Sequence, residues 1–197
     1  MSTELITKLR EITGAGVMDC RNALKESNDD IDRACQWLRE KGMASAVKKA
    51  GRAAKQGLVY SYIHGNGTLG VLVEVNCETD FVAKTEDFQR LTKEIAMQIA
   101  AVSPTYVSRE QVPSSILEAE REIYKAQLKE AGKSEKVWDK IIEGKIEKFY
   151  SQICLYDQVY MRDTSGKETM KDLVTNAIAK IGENIVIKRF ARFKLGE

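Results

Sequence analysis

"LVYSYIHGNGTLGVLVEVN", residues 58–76, decides how this chain is built. Its two runs, 58–64 and 69–76, are rich in β-branched and aromatic residues, the composition that suits a pleated, half-buried surface. Between them "GNGT" at 65–68 supplies the glycines and asparagine that tight hairpins need for positive φ. The stretch predicts an antiparallel hairpin. What flanks it is mostly helical in period, so the expected class is α+β, with a small antiparallel sheet covered by helices.

Upstream, Leu5, Ile6, Leu9 and Ile12 recur at helical spacing until "TGAG" at 13–16 stops the run. A second helix is predicted from Asp19, turning Cys20, Ala23 and Leu24 inward. A third follows "SNDD" at 27–30, carries Ile31, Ala34, Cys35 and Leu38, and is expected to close at Gly42. Each is too short to stand alone in water, so they must pack. "MASAVKKAGRAAKQ" at 43–56 lacks a wide apolar face and reads as a mobile or weakly helical connector. The expected division is therefore a three-helix N-terminal domain with its connector over 1–56, and an α+β core over 57–197.

Downstream, Phe88, Leu91, Ile95 and Ile99 form one stripe of a helix that starts near Lys84 or Thr85 and ends before Pro104. "PTYVS" at 104–108 is extended. Residues 115–155 read as a helical hairpin with charged outer faces and a further break around Gly144. A helix from about Thr169 to Ile181 leads to "GENIVIKRFARFKLG" at 182–196, whose alternation predicts a terminal strand.

Composition narrows the function classes. The chain has 197 residues and 43% hydrophobic content, enough for a substantial core. No apolar run is long enough to span a bilayer, and charges at Glu4, Lys8, Arg10, Glu11 and Asp19 occupy the place of a signal peptide's apolar region, so a cytoplasmic protein is expected. Cys20, Cys35, Cys77 and Cys154 are widely spaced and His64 is the sole histidine, which disfavours a metal site and suits buried thiols in a reducing compartment. Net charge is +2. Residues 1–56 carry 11 basic and 8 acidic side chains, residues 57–181 carry 16 and 19, a contrast that suits a two-part molecule better than a nucleic-acid binder. Neither "TGAG" nor "HGNG" has the spacing of a phosphate-binding loop, so direct nucleotide binding is not expected, and no cofactor is implied.

The unexplained stretch is "CETDFVAKTEDF", residues 77–88. A carboxylate, Asp80, stands beside a large aromatic, Phe81, where the strand should end in a polar turn. In one reading Phe81 folds under the sheet as core and Asp80 caps the next helix, which periodicity favours. In the other it is an exposed aromatic wedge on a rigid strand-to-helix corner, shaped to enter another protein. An enzyme built on Cys77 and His64 is a third class, but these residues leave opposite ends of the hairpin region. A pure interaction module on a dimerisation scaffold is a fourth.

Three separated stretches carry a family resemblance: "LREITGAGVMDCRNAL" at 9–24, "VEVNCETDFVAK" at 73–84 and "IAKIGENIVIKRFARF" at 178–193. In that order, and from one end of the chain to the other, they resemble the bacterial elongation factor Ts family in its short form. The resemblance implies a ubiquitin-associated-like three-helix domain before an α+β core. It implies guanine nucleotide exchange on elongation factor Tu, with no reaction catalysed. It further implies that Thr79, Asp80, Phe81 and Val82 enter the GTPase and disturb its bound Mg²⁺. Arg10, Val17, Met18 and Arg21 become candidate contacts to a different helix of that partner, with valine and arginine at 17 and 21 where many relatives carry methionine and lysine. Homodimers binding two partner molecules are the expected assembly.

Overall fold

A computed structural model describes residues 2–197, and its order of elements is three helices, a hairpin, five helices and a final strand. The helices are α1 Thr3–Thr13, α2 Val17–Glu26 and α3 Ile31–Lys49; the hairpin is β1 Gln56–His64 and β2 Leu69–Cys77. Then come α4 Asp80–Ala83, α5 Glu86–Val102, α6 Ser114–Glu130, α7 Trp138–Ile153, α8 Met170–Ile181 and β3 Val186–Lys194. The strands form one antiparallel sheet in the order β1-β2-β3. The α+β expectation holds.

By contacts the chain forms two compact units. The first comprises residues up to Tyr60, Val73–Glu94 and Asp172–Lys188; the second comprises Ser61–Leu72, Ile95–Lys171 and Arg189–Glu197.

In the first unit α1 to α3 close on Leu9, Cys20, Ala23, Leu24 and Ala34, with Leu5, Ile6, Trp37 and Leu38 packed around them. Three details depart from the sequence expectation. α2 starts at Val17, so Met18 and Val17 make up its first turn. Ile12, placed on the inward stripe, is 58% exposed. α3 does not close at Gly42 but runs on to Lys49, so of the stretch read as a mobile or weakly helical connector residues 43–49 are helix and only 50–55 link it to β1. Gly42 is there for packing: a Cβ would lie 3.2 Å from the Ala179 Cβ, so its lack of side chain lets α3 approach α8 closely. Where the chain enters β1, Gly57 has φ +140, and a Cβ there would meet the Val75 carbonyl oxygen at 2.1 Å. Only glycine fits that backbone.

In the second unit the turn residues Gly65, Asn66 and Gly67 all have positive φ, as the hairpin reading requires. α6 and α7 pack through Leu128, Ile142 and Ile146. α7 does not break at Gly144: the buried positions Ile142 and Ile146 lie on either side of it, and their packing outweighs the roughly 1 kcal/mol that a mid-helix glycine costs. The foot of α7 is held by Arg109, whose Nε donates to Asp157 (2.8 Å) and whose terminal nitrogens reach both Glu147 oxygens (2.9 and 2.8 Å). Buried Gln98 donates to the Val159 carbonyl (3.1 Å) and accepts from the Met161 amide (2.9 Å).

Candidate functional site

Val71, Val73, Val75 and Cys77 are buried in alternation along β2, so the strand is anchored by one face up to its last residue. Beyond it the chain turns at once into α4. Thr79, extended at φ −126, is the N-cap: its hydroxyl accepts from the Val82 amide (3.3 Å). Asp80, which the core reading makes the cap of the helix starting near Lys84 or Thr85, instead lies in the first turn of α4. Ala83 is buried and seats the turn. Thr85 then opens α5, accepting from the Phe88 amide (3.3 Å) and donating to the Val82 carbonyl (2.7 Å). Two capped helix starts follow a buried strand end within nine residues. The corner is stiff.

Phe81 stands on this corner with 77% of its surface exposed, which rejects the core reading. Phe88, one helix later, is the buried aromatic. Asp80 is exposed and pairs with Lys84 (2.7 Å), whose hydrogen bond holds the carboxyl below its ordinary range. The same ammonium lies 5.8 Å from the centre of the Phe81 ring. Val82 is half-buried. Carboxylate, aromatic ring and ammonium thus share one exposed face of a single helical turn.

A residue that sequence reasoning missed lies behind the corner. Glu183, in the loop between α8 and β3, accepts from the Glu78 and Thr79 amides (3.0 Å each) through one oxygen and from the Thr79 hydroxyl (2.7 Å) through the other. Its neighbour reciprocates: the Asn184 amide donates to Glu78 (2.6 Å), and the buried Asn184 side chain donates to the Arg52 carbonyl (2.9 Å). No local pattern in "GEN" announces this, because the partners are about a hundred residues away in sequence.

The second candidate group lies on the three-helix bundle. Arg10, Val17, Met18 and Arg21 are all exposed, Met18 by 62% and Val17 by 48%. Arg21 follows Met18 by three and Val17 by four positions, so the three share one flank of α2. The preceding loop is tied down by Thr13, whose hydroxyl donates to the Leu9 carbonyl (2.7 Å) and accepts from the Ala15 amide (3.3 Å).

The enzymatic constellation is not assembled. His64 is engaged with the Tyr62 hydroxyl (2.9 Å). Cys77 donates to the Thr79 carbonyl (3.1 Å), and burial pushes its thiol up, away from the thiolate a nucleophile needs. Among the described residues no cluster of His, Cys, Asp and Glu could hold a metal ion, and no helix is long and apolar enough to cross a membrane.

The family profile described as Elongation factor TS matches residues 5–168. The chain belongs to the elongation factor Ts family. Proteins named Elongation factor Ts are similar to it along its whole length: one from Caldanaerobacter subterraneus subsp. tengcongensis is 58% identical over 197 residues, covering 100% of this chain and 98% of the relative. Those of Thermotoga neapolitana and Fervidobacterium nodosum are 55% and 54% identical, with 98% and 99% of each relative covered. Membership of the elongation factor Ts family makes this chain a nucleotide exchange factor of translation elongation, not a catalyst of bond making or breaking. It also implies elongation factor Tu as the partner.

Proposed function

We propose that this chain releases GDP from elongation factor Tu by inserting the Asp80-Phe81 turn into the GTPase and disturbing its Mg²⁺, after which abundant GTP rebinds. The observation that carries this reading is the exposed Phe81 ring on a doubly capped corner. An aromatic that its own fold leaves in water has transfer free energy to give to a partner. Release then follows from linkage: a factor that binds the empty GTPase more tightly than the loaded one must weaken nucleotide by the same ratio. The Asp80 carboxylate, held ionised by Lys84, brings negative charge to a site whose largest local charge is a divalent cation.

The segment 1–56 acts as a separate grip, with Arg10, Val17, Met18 and Arg21 against another helix of the partner, and 57–197 carries the wedge and the dimer contact. Two copies join through the sheet surface of the second unit, where Ile63, Leu72, Phe193 and Leu195 are exposed, giving a 2:2 complex in the cytoplasm. The test is release of labelled GDP from elongation factor Tu, with and without this protein, as Mg²⁺ is varied. Faster release that shrinks as Mg²⁺ rises is expected. Binding without faster release would leave the chain a mere interaction module.

A further inference from the structure

We propose that Glu183 is a positioning residue for nucleotide release: by accepting from the Glu78 and Thr79 amides and the Thr79 hydroxyl, it fixes the direction in which Phe81 leaves the corner. This rests on the wedge reading above.

The two amides lie beyond the last residue of β2 and before the first turn of α4, where neither the strand ladder nor the helix supplies an acceptor. A carboxylate is suited to the place because it only accepts, with room for all three donors on two oxygens. Taking the Thr79 proton also orients that hydroxyl, leaving its lone pairs toward the Val82 amide that it caps. Glu183 thus acts on Phe81 through Thr79. The same loop secures its other side: Asn184 binds Glu78 and the carbonyl of Arg52, just past the end of α3. The wedge is therefore braced from behind by residues that follow it by about a hundred positions.

Stimulated release of a fluorescent GDP from elongation factor Tu is followed by stopped flow at rising concentrations of the full-length protein. The variants are Glu183→Ala, Glu183→Gln, Thr79→Val, the double Glu183→Ala/Thr79→Val, and Phe81→Ala. Glu183→Ala is expected to lower the maximal rate about threefold to thirtyfold, no further than Phe81→Ala does, the penalty of a misplaced contact, while the half-saturating concentration moves less than about threefold. Glu183→Gln, which keeps an oxygen facing the two amides, recovers most of the rate. Adding Thr79→Val to Glu183→Ala costs little more, because both act on one cap. A wild-type maximal rate in Glu183→Ala, or a loss confined to half-saturation and shared equally by the glutamine variant, overturns the proposal. Should the alanine variant fail to fold, Thr79→Val decides: a lowered maximal rate supports the brace and an unchanged one refutes it. Phe81→Ala separates the two ideas. If it is slow while Glu183→Ala is normal, only the role of Glu183 falls; if it releases GDP at the wild-type rate, the wedge itself falls.

Discussion

Replacing Phe81 by alanine should separate stability from function, and the structure sets both magnitudes. The ring is 77% exposed, so removing it opens no cavity in the chain's own core. Surface substitutions of this kind stay within about 0.5 kcal/mol, and for a protein of this size that shifts Tm by no more than about 2 °C. Fully burying a phenylalanine is worth about 1.5 to 3 kcal/mol. About three-quarters of that transfer is still unspent in the free protein, roughly 1 to 2 kcal/mol, and on the proposed insertion becomes available on entering elongation factor Tu. At about 1.4 kcal/mol per factor of ten, losing it slows stimulated GDP release roughly fivefold to thirtyfold, and more if the ring also displaces the metal. The assay is stopped-flow release of labelled GDP at saturating factor, alongside a melting curve. Unchanged release refutes the wedge. A Tm lowered by many degrees refutes the premise that the ring does no work inside its own fold.

On the three-helix bundle, Met18→Ala with Arg21→Ala should raise the concentration needed for half-maximal release by about tenfold and leave the maximal rate intact, as expected for contacts made equally in both nucleotide states and read from the same titration. Phe193→Asp places a charge on the exposed apolar sheet surface; on the proposed dimer contact the wild type should sediment as a dimer and this variant as a monomer. Gly144→Ala should stabilise by about 0.5 to 1 kcal/mol in chemical denaturation, because a Cβ there meets nothing within 4 Å and the residue sits mid-helix. Burial pushes the Cys154 thiol up to about 11. The unfolded thiol therefore ionises first as pH rises, so this contribution is constant below about pH 9 and is lost as pH climbs towards 11; Cys154→Ala should flatten that part of the Tm–pH curve.

The hairpin was legible because its signals are local: β-branched alternation on either side of Gly65, Asn66 and Gly67 leaves few other backbones. α5 was legible because Phe88, Leu91, Ile95 and Ile99 keep one period to the end of the helix. Where the reading failed, a distant partner was responsible. Gly42 and Gly144 look like helix stops to any local rule, yet one is explained by Ala179 on another helix and the other is overridden by Ile142 and Ile146 packing on α6. Ile12 keeps helical spacing with Leu9 but lies past the bundle's buried end. Periodicity alone favoured burying Phe81; the family motif pointed outward, and the exposure of the ring agrees with the motif. Glu183 was invisible because its partners have no sequence relation to it.

Exposure alone does not make an aromatic useful. Immobilising a side chain on binding costs about 0.5 to 1.5 kcal/mol, and ordering a loose loop adds further for each residue fixed. Against roughly 1 to 2 kcal/mol available from Phe81, such costs would cancel the wedge if it stood on a flexible segment. Here the ordering is complete before any partner arrives: Cys77 is buried, Thr79 and Thr85 cap successive turns, and Glu183 holds the amides between them. On the proposed insertion the partner meets a ring whose backbone is already ordered, so only the side chain's own immobilisation is set against the transfer free energy and the rest goes to the partner's rearrangement. An exchange factor needs such a corner more than an ordinary binder does, because it must be displaced again when nucleotide returns. Its hold has to come from a few contacts that one conformation of the GTPase offers and the other withdraws.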